Sequence, residues 1–506
     1  MGRRMNMRFG FDHAVCAAGI LLGVLSAVPA GAATTTAASC SQADVQAAIT
    51  AAASGDTVLV PAGACTWSTP VSISGKRLKL LGAGIGKTSI TDSTGRGALS
   101  FECSAANFVD VGGFTFIKGI AYSGGMIQVW GVMGEVAFRI HHSRLFDNGV
   151  AGGRGIWVSS GYGLIDHLTI DVADTTSSDQ MISVSGSPGS SDGGYTPWTW
   201  PLTMGSDKAV YVEDCTFTVA NQNEDVIDAY SGARLVIRNN RFYDTSVGFH
   251  GTDSGGMRSP VSVELYDNTF TNDSPKSRRA VTNRGGTAVY FNNTYGGATS
   301  WSGFYLYYYR SSYYQGLPDS WGYCDGTKYD IGSAAVSSDN SRKTVPAGTG
   351  VRFLESSPDT ISASGTRYFD GSGSYGYPCR DQPGRGPGQA LHPVYAWNNG
   401  SVAMGGGGAD AKAPAAAENW ILANRDYYNY VPIGFDGTVG VGRGTVADRP
   451  ATCTPLTAYF AIDVGPQGTL FQCAARNTWR EYYSPYDYPH PLQFTRPAAP
   501  ANVTIK

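Results

Sequence analysis

Charged residues are scarce in this chain: they make up 15% of its 506 positions, and the net charge is only −3. So low a charge content argues against a coiled coil and against an acidic disordered chain, since both are rich in charged side chains. The lack of a basic excess likewise argues against nucleic acid or a membrane surface as a partner. Any binding of a polyanion therefore has to come from a local cluster of basic residues.

Long apolar segments are missing as well. After the N-terminal region no stretch approaches the roughly 18 apolar residues of a membrane-spanning helix, so we expect no membrane anchor. The N-terminal region itself has the pattern of a secretory signal: Arg3, Arg4 and Arg8 precede an apolar run over residues 14–28, and small residues follow at 30–32. We therefore predict a signal peptide over residues 1–32, cleavage near Ala32 and a secreted, extracellular protein.

The cysteines include no Cys-x-x-Cys pair, which argues against a structural zinc site. Cleavage of the signal would remove Cys16 from the nine cysteines, and an even number in an exported chain indicates disulfides. Cys103 and Cys215 either pair with each other or remain buried thiols. Among the others, short separations favour three bonds: Cys40–Cys65, Cys324–Cys379 and Cys453–Cys473.

Glycine and proline are abundant, with 66 and 25 residues, and aromatic residues make up 12% of the chain. This composition argues against a helical bundle and provides apolar surface for a large core. The middle of the chain repeats: six segments begin with alternating apolar residues, pass through a polar pair and end on a large apolar residue. These closing residues are Leu145, Ile170, Phe217, Phe242, Phe270 and Tyr295.

The closing residues are separated by 25, 47, 25, 28 and 25 residues, and the long step contains an insertion rich in Gly, Ser, Pro and Trp over residues 185–208. Apolar alternation indicates strands. A period of roughly 25 residues leaves no room for helical crossovers between parallel strands, and it is typical of a parallel β-helix. The sequence therefore predicts an all-β fold wound as stacked turns.

The position two residues before each closing residue supports the same register. It is occupied in turn by Ser143, Leu168, Cys215, Asn240, Asn268 and Asn293. Three asparagines at one offset predict a stacked ladder of amides that satisfies backbone groups at a bend. Ordinary turn asparagines facing solvent are the alternative.

Residues 41–53 form a short amphipathic pattern that predicts a helix capping the open end of the stack. Together with Gly55-Asp-Thr-Val-Leu-Val-Pro-Ala-Gly63 and Leu80-Leu-Gly-Ala-Gly84, this segment resembles the opening of the right-handed parallel β-helix proteins of the pectin-lyase-like superfamily. The resemblance covers roughly residues 40–310. It implies a single-stranded right-handed parallel β-helix, in a superfamily that contains lyases, hydrolases, epimerases and non-catalytic adhesins.

We accordingly predict a β-helix with its cap over residues 33–320. Residues 321–506 are predicted to form a C-terminal region of long loops and a disulfide-closed hairpin, packed on the β-helix or continuing it. A separate carbohydrate-binding module is the alternative for this region. We expect the protein to be a monomer.

A solenoid carries its function on one long face, where residues at matching offsets of successive turns become neighbours. The strands that follow the closing residues place polar and charged side chains on such a face. We expect five of them to cluster: Asp228, Tyr230, His250, Asp253 and Arg284. A basic set lies on two neighbouring turns beside them: Arg258, Lys276, Arg278 and Arg279.

This combination suits β-elimination on an anionic, uronate-containing polysaccharide. The uronate carboxylate must be neutralised before a base removes the adjacent proton, and either an arginine or Ca²⁺ can neutralise it. We assign catalysis to His250, Arg284, Arg279, Tyr230, Arg258 and Lys276. We assign substrate binding to Asp228, Asp253, Trp157, Trp198 and Trp200, and a calcium site to Asn223, Glu224 and Asp225.

Other interpretations remain open. A glycoside hydrolase would use carboxylates from Asp225, Asp228 and Asp253, and a non-catalytic glycan-binding adhesin would use the exposed aromatic residues. The basic run over residues 276–284 can also be a solvated turn, and Asp228 with Arg284 a structural surface pair. His141 and His142 can be core histidines.

Overall fold

The computed structural model describes residues 32–122, 124–150, 152–173, 180–187, 196–220, 225–251, 258–306, 329–330, 350–353, 366–368, 381–406 and 421–494. These residues form an all-β, right-handed solenoid of about 10 turns, built from three long parallel sheets that we call A, B and C. The predicted fold class is therefore confirmed. The signal-peptide prediction falls outside the described residues, and no helix among the described residues is long and apolar enough to cross a membrane.

Each full turn contributes one strand to each sheet in the order A, B, C. Sheet A contains Thr34–Thr36, Thr57–Val60, Leu78–Gly82, Val109–Gly112, Val136–His141, Tyr162–Asp166, Val210–Glu213, Arg234–Arg238, Ser262–Tyr266, Thr287–Phe291, Val394–Trp397 and Tyr427–Tyr428. Sheet B contains Gly63–Trp67, Thr88–Asp92, Thr115–Lys118, Arg144–Asp147, Thr169–Val172, Thr216–Val219, Arg241–Tyr243, Thr269–Thr271 and Thr294–Gly296. Sheet C contains Val71–Ile73, Leu99–Cys103, Ile127–Gly131, Ile156–Ser159, Ile182–Ser185, Ile227–Tyr230, Val247–Phe249, Arg278–Asn283, Trp301–Leu306 and Met404–Gly406.

The register is the one that the sequence repeat predicts. In sheet B, Leu145 pairs with Ile170, and the chain of partners continues through Phe217, Phe242, Phe270 and Tyr295. The last four rings stack with centroids 4.6, 4.5 and 4.8 Å apart. This interior row is the centre of the apolar core, because a strand's alternating side chains all point inward at the same offset.

The asparagine ladder is also confirmed, at the turn between sheets A and B. The Asn240 side chain donates to the backbone oxygens of Val212 and Arg238 and to Oδ1 of Asn268. Asn268 repeats this pattern with Asn293, and the ladder continues to Asn399. Each amide thus satisfies carbonyl groups that the bend leaves outside the sheets.

The N-terminal end of the solenoid is closed as predicted. The helix Gln42–Ala51 begins at Ser41, whose Oγ accepts a hydrogen bond from the Asp44 backbone, and it buries Val45 and Ile49 against the core. The disulfide Cys40–Cys65 ties the helix entrance to the first strand of sheet B. A capped end hides backbone edges that would otherwise pair with another chain.

The C-terminal region partly continues the solenoid. Val394–Trp397 and Tyr427–Tyr428 extend sheet A, and Met404–Gly406 extends sheet C. A four-stranded sheet follows, made of Val441–Gly444, Ala458–Ala461, Thr469–Ala475 and Thr478–Tyr483. A small antiparallel sheet joins Tyr329–Asp330, Gly350–Phe353 and Thr366–Tyr368, and short 3₁₀ helices lie at Thr196–Thr199, Pro387–Gln389, Val446–Asp448 and Pro491–Phe494.

The predicted disulfide Cys453–Cys473 is present, whereas Cys324 and Cys379 lie outside the described residues. Cys103 and Cys215 are buried free thiols, so the second of the two alternatives holds. The four-stranded sheet and the segment after it pack on the outer face of sheet A. There they form a second apolar cluster that includes Tyr211, Tyr266 and Phe460.

Candidate functional site

The outer face of sheet C carries the residues singled out for chemistry. In the strand Ile227–Tyr230 the side chains of Ile227 and Ala229 belong to the core, so Asp228 and Tyr230 point outward. Register places Trp157, Ser183 and Asp228 next to one another on successive strands, and Ser159, Ser185 and Tyr230 likewise. These two rows line one side of the solenoid.

His250 is held at the end of the next strand. Its backbone amide donates to the Ala229 carbonyl, and its ring Nδ1 lies 2.6 Å from Oδ1 of Asp228. The imidazole is 22% exposed, while the Asp228 carboxyl is 2% exposed. A buried carboxylate on one ring nitrogen fixes the ring's orientation and leaves the other nitrogen, Nε2, directed away from Asp228.

Tyr230 lies beside this pair. Its ring centroid is 6.2 Å from that of His250, and its hydroxyl oxygen accepts a 2.9 Å hydrogen bond from Nε1 of Trp157. Because the indole is the donor, the Tyr230 proton remains available to a ligand. Asp228, His250 and Tyr230 therefore come together as the sequence analysis predicted.

Several buried oxygens in these rows have no hydrogen-bond partner. They are Oδ2 of Asp228 and the hydroxyls of Ser159 and Ser183. Buried polar atoms are rarely left unsatisfied in folded proteins, so ordered water or a bound molecule is expected to supply the missing partners. The outer face of sheet C thus has the character of a polar binding surface.

Asp225 lies just before this strand and is half-buried. Its Oδ1 accepts from the Ser246 hydroxyl at 2.7 Å. Burial raises the pKa of Asp225, and the neighbouring charge of Asp228 adds to this, whereas Arg284 and Arg279 act in the opposite direction. Gly248 is required here, because a Cβ at that position would lie only 1.7 Å from Oδ2 of Asp225.

Two of the predicted arginines lie on the same side. Arg284 is buried, and its Nε donates to the Phe249 carbonyl at 3.1 Å, one residue before His250. Arg279 is half-buried, with its guanidinium 4.9 Å from the centroid of the Tyr305 ring. The positive charges of both arginines act to lower the pKa of the Asp225 carboxyl. Positive charge therefore lies near Asp225 and its neighbour Asp228. Lys276 is exposed on the turn before Arg279.

Arg258, Trp198 and Trp200 occupy a different environment. Arg258 forms a bidentate ion pair with Asp381 in the interior, and its guanidinium lies 4.7 Å from the centroid of the fully buried Trp198 ring. Trp200 lies near Arg234 of sheet A, with the guanidinium 6.0 Å from its ring. The structure therefore does not bring these three residues to the exposed row with His250.

Asp253, Asn223 and Glu224 lie outside the described residues. Sequence reasoning missed Trp130, which is 36% exposed and packs edge-on against Trp157 with centroids 4.9 Å apart. Its signal was present, because Trp130 follows Gln128, the register partner of Trp157, by two residues. The two indoles form an accessible aromatic surface at one end of the polar rows.

Comparison with known proteins adds little to this description. No protein-family model matches the chain, and no curated protein matches it. Among solved structures, alginate lyase from Paenibacillus sp. str. FPU-7 aligns over 53% of this chain and 96% of its own, with 14% identity and a TM-score of 0.31. ORF18 of Geobacillus virus E2 aligns over 87% of this chain and 83% of its own, with 11% identity and a TM-score of 0.28. At such TM-scores neither similarity carries an argument about this chain.

Proposed function

We propose that this protein is a secreted polysaccharide lyase of the pectin-lyase-like type, acting as a monomer on an anionic, uronate-containing glycan at the outer face of sheet C. The observation that carries the proposal is the 2.6 Å contact between His250 and the buried Asp228, with the Tyr230 ring centroid 6.2 Å from that of His250. An exposed base, a buried orienting carboxylate and a nearby proton donor are the groups that β-elimination requires.

In the proposed reaction, Nε2 of His250 takes the proton from C5 of the uronate. The electron pair of that C–H bond forms the C4–C5 double bond, and the C4–O glycosidic bond breaks. The leaving oxygen takes the proton of the Tyr230 hydroxyl. Trp157 holds the tyrosine oxygen in place through its indole N–H at 2.9 Å, so the acid is positioned before the substrate binds.

Positive charge near the uronate carboxylate makes its neighbouring proton more acidic. Arg279 is the better placed of the two arginines, because it is half-buried and therefore reaches solvent, whereas Arg284 is buried. The Trp130 and Trp157 rings provide a stacking surface for neighbouring sugars. The hydroxyls of Ser159 and Ser183 lie buried beneath this surface without a partner, and they would contact a sugar through water or after a side-chain movement.

Calcium is a further part of the proposal. Asp225 would hold it together with Asn223 and Glu224, and the half-buried Asp225 carboxyl fits this role, because its raised pKa reflects a desolvation that a bound cation would offset. When bound, Ca²⁺ would supply the neutralisation of the uronate carboxylate. Loss of activity in EDTA, restored by added Ca²⁺, tests this point separately from the role of His250.

The test is an assay of the secreted protein on alginate, pectate, glucuronan and glycosaminoglycans, following the ultraviolet absorbance of the unsaturated product. We expect His250→Asn to lower the rate by about 10²–10⁴-fold, because it removes the general base. His142→Asn, on the far turn between sheets A and B, is the matched control and should leave the rate unchanged. Absence of unsaturated product on every polymer, or full activity of His250→Asn, would overturn the proposal.

Glycoside hydrolysis is the second candidate, and one observation favours it. The carboxyls of Asp225 and Asp228 are close enough for the charge of one to raise the pKa of the other. A hydrolase needs two neighbouring carboxyl groups as its acid and base, and a raised pKa suits the acid. New reducing ends without unsaturated product would favour this function over elimination.

A further inference from the structure

A cluster of histidines lies at the turn between sheets A and B, on the turns next to the asparagine ladder. His142 and His167 occupy the same position of successive turns, and both have a left-handed backbone, with φ of 46° and 53°. Their rings are exposed and stack in parallel, with centroids 4.6 Å apart and planes at 5°. One potential ligand atom from each of His142, Asp166 and His167 lies within 4.8 Å of the others.

The buried acid behind His167 fixes which of its nitrogens is free. Nδ1 of His167 lies 2.9 Å from Oδ2 of Asp166, and Asp166 is itself fully buried and held by two 2.8 Å bonds from Arg139. A carboxylate oxygen can only accept, so the His167 proton is on Nδ1 and the lone pair is on Nε2. Arg139 balances the charge of Asp166, which therefore serves to orient the ring.

A chain of contacts from Asp110 through His141 orients the His142 ring. Nε2 of His141 lies 2.9 Å from Oδ1 of the buried Asp110, and Nδ1 of His141 lies 2.9 Å from Nδ1 of His142. With the His141 proton directed at Asp110, its Nδ1 accepts from His142, and the His142 lone pair is on Nε2. A carboxylate that holds the opposite nitrogen of a histidine is the usual outer partner of a metal-binding imidazole.

The backbone makes room for this arrangement. The His141 ring lies where a side chain at Gly112 would be, since a Cβ there would be 2.4 Å from its Cε1 atom. On the turn after that of His167, the left-handed position is occupied by Asp214. Its carboxyl accepts hydrogen bonds from Tyr488 and Gln493. The two free imidazole nitrogens are therefore confined to the turns of His142 and His167.

We propose that His142 and His167 form a binding site for a divalent transition metal ion, with water completing the coordination. Imidazole nitrogens favour Cu²⁺, Ni²⁺ and Zn²⁺ over the oxygen-seeking Ca²⁺ and Mg²⁺, and Cu²⁺ should bind most tightly. The exposed rings need only tilt from their parallel stack to converge on one ion, with their Nδ1 contacts to Asp166 and His141 retained. The site lies at the bend between sheets A and B, away from the outer face of sheet C. It does not depend on the function proposed for that face.

The test is titration of the tag-free protein with CuCl₂ and ZnCl₂ by calorimetry, together with electron paramagnetic resonance of the Cu²⁺ complex. The variants are His142→Asn and His167→Asn. Asparagine occupies the same left-handed position in other turns, as Asn239, Asn292 and Asn398, so the substitution preserves the backbone. His250→Asn is the control for binding at a half-buried histidine elsewhere on the solenoid.

We expect one Cu²⁺ per chain with nitrogen couplings from two imidazoles, and a coupling from one imidazole in each single variant. Each single variant should bind at least about 10-fold more weakly, and Asp110→Asn, which acts through His141, about 10–100-fold more weakly. Unchanged binding in the double variant, binding lost only in His250→Asn, or no bound Cu²⁺ in the wild type would each overturn the proposal.

Discussion

The outer faces of sheets A and C come from the same turns and the same alternation of side chains, yet they differ in how their polar groups are satisfied. On sheet A, Glu213 pairs with Arg238 at 2.6 Å, and Asp166 with Arg139 at 2.8 Å. On sheet C, Asp228 and two serines keep buried oxygens without a partner, whereas the unpartnered buried atoms on sheet A include nitrogens of Arg234 and Trp397. Sheet A is covered by the C-terminal segment of its own chain, whereas the described part of sheet C retains accessible indole and imidazole groups.

The paired charges of sheet A stabilise the fold, whereas the outer face of sheet C carries the proposed function. Buried charges on sheet A are each held by several groups: Arg238 donates to Glu213, to Tyr266 and to the backbone oxygens of Tyr486 and Asp487. Such a network fixes the C-terminal segment to the solenoid. Unsatisfied groups on sheet C lower the stability of the free protein, and ordered water or a ligand that supplies partners offsets this cost.

The largest expected effect comes from breaking the network on sheet A. Arg238→Met leaves Glu213 buried without its cation and removes the contacts to the C-terminal segment. We expect the free energy of unfolding to fall by about 3–5 kcal/mol, measured by urea denaturation. The double variant Arg238→Met/Glu213→Gln should recover part of this loss, because it no longer buries an unpaired charge. A single variant as stable as the wild type would contradict the contrast between the faces.

An intermediate effect is expected from the pH dependence of Glu264. Burial raises the pKa of Glu264 to about 7, although the Gly205 amide and the Tyr483 hydroxyl donate to it. Between the ordinary glutamate pKa and about 7 the folded protein holds this proton and the unfolded chain does not. The stabilisation from Glu264 is therefore complete at low pH and is lost as pH rises through this window, by at most about 3 kcal/mol.

Urea denaturation at about pH 5 and about pH 8 measures this effect when the wild type is compared with Glu264→Gln. Glutamine keeps the shape and one acceptor but does not ionise, so the difference between the two pH values should shrink in the variant. An equal pH dependence in both proteins would show that other groups account for it.

The smallest effect on stability is expected on sheet C. Ser183→Ala removes a buried hydroxyl without a partner, so the free energy of unfolding should change by less than about 1 kcal/mol and should not fall. If the hydroxyl binds sugar, the same variant raises KM for the polysaccharide. A clear loss of stability would mean that this face is held together internally, as sheet A is.

Much of the solenoid could be predicted from sequence because its rules are local and periodic. The 25-residue repeat and the alternation of apolar residues determine the interior row from Leu145 to Tyr295, and the common offset of Asn240, Asn268 and Asn293 determines the ladder. The contact between Asp228 and His250 followed from the same offsets.

The placements that the sequence did not predict are those where distant segments meet. Arg258 pairs with Asp381, 123 residues away, and Trp198 lies inside an insertion that interrupts the repeat. The sequence repeat cannot predict such contacts, because they depend on how segments outside the repeat pack. The sequence could have predicted that His141 and His142 lie beside Asp166 and His167. Both pairs directly precede the ladder position of their own turn.

The asparagine ladder also continues across a long insertion in the sequence. It passes from Asn293 directly to Asn399, 106 residues further on, with the same 2.9 Å amide contact that joins neighbouring turns. The stack therefore tolerates a long excursion between two adjacent rungs without losing alignment. Segments that leave at this point can be exchanged or resized, while the spacing of the outer face of sheet C around His250, fixed by earlier turns, stays the same.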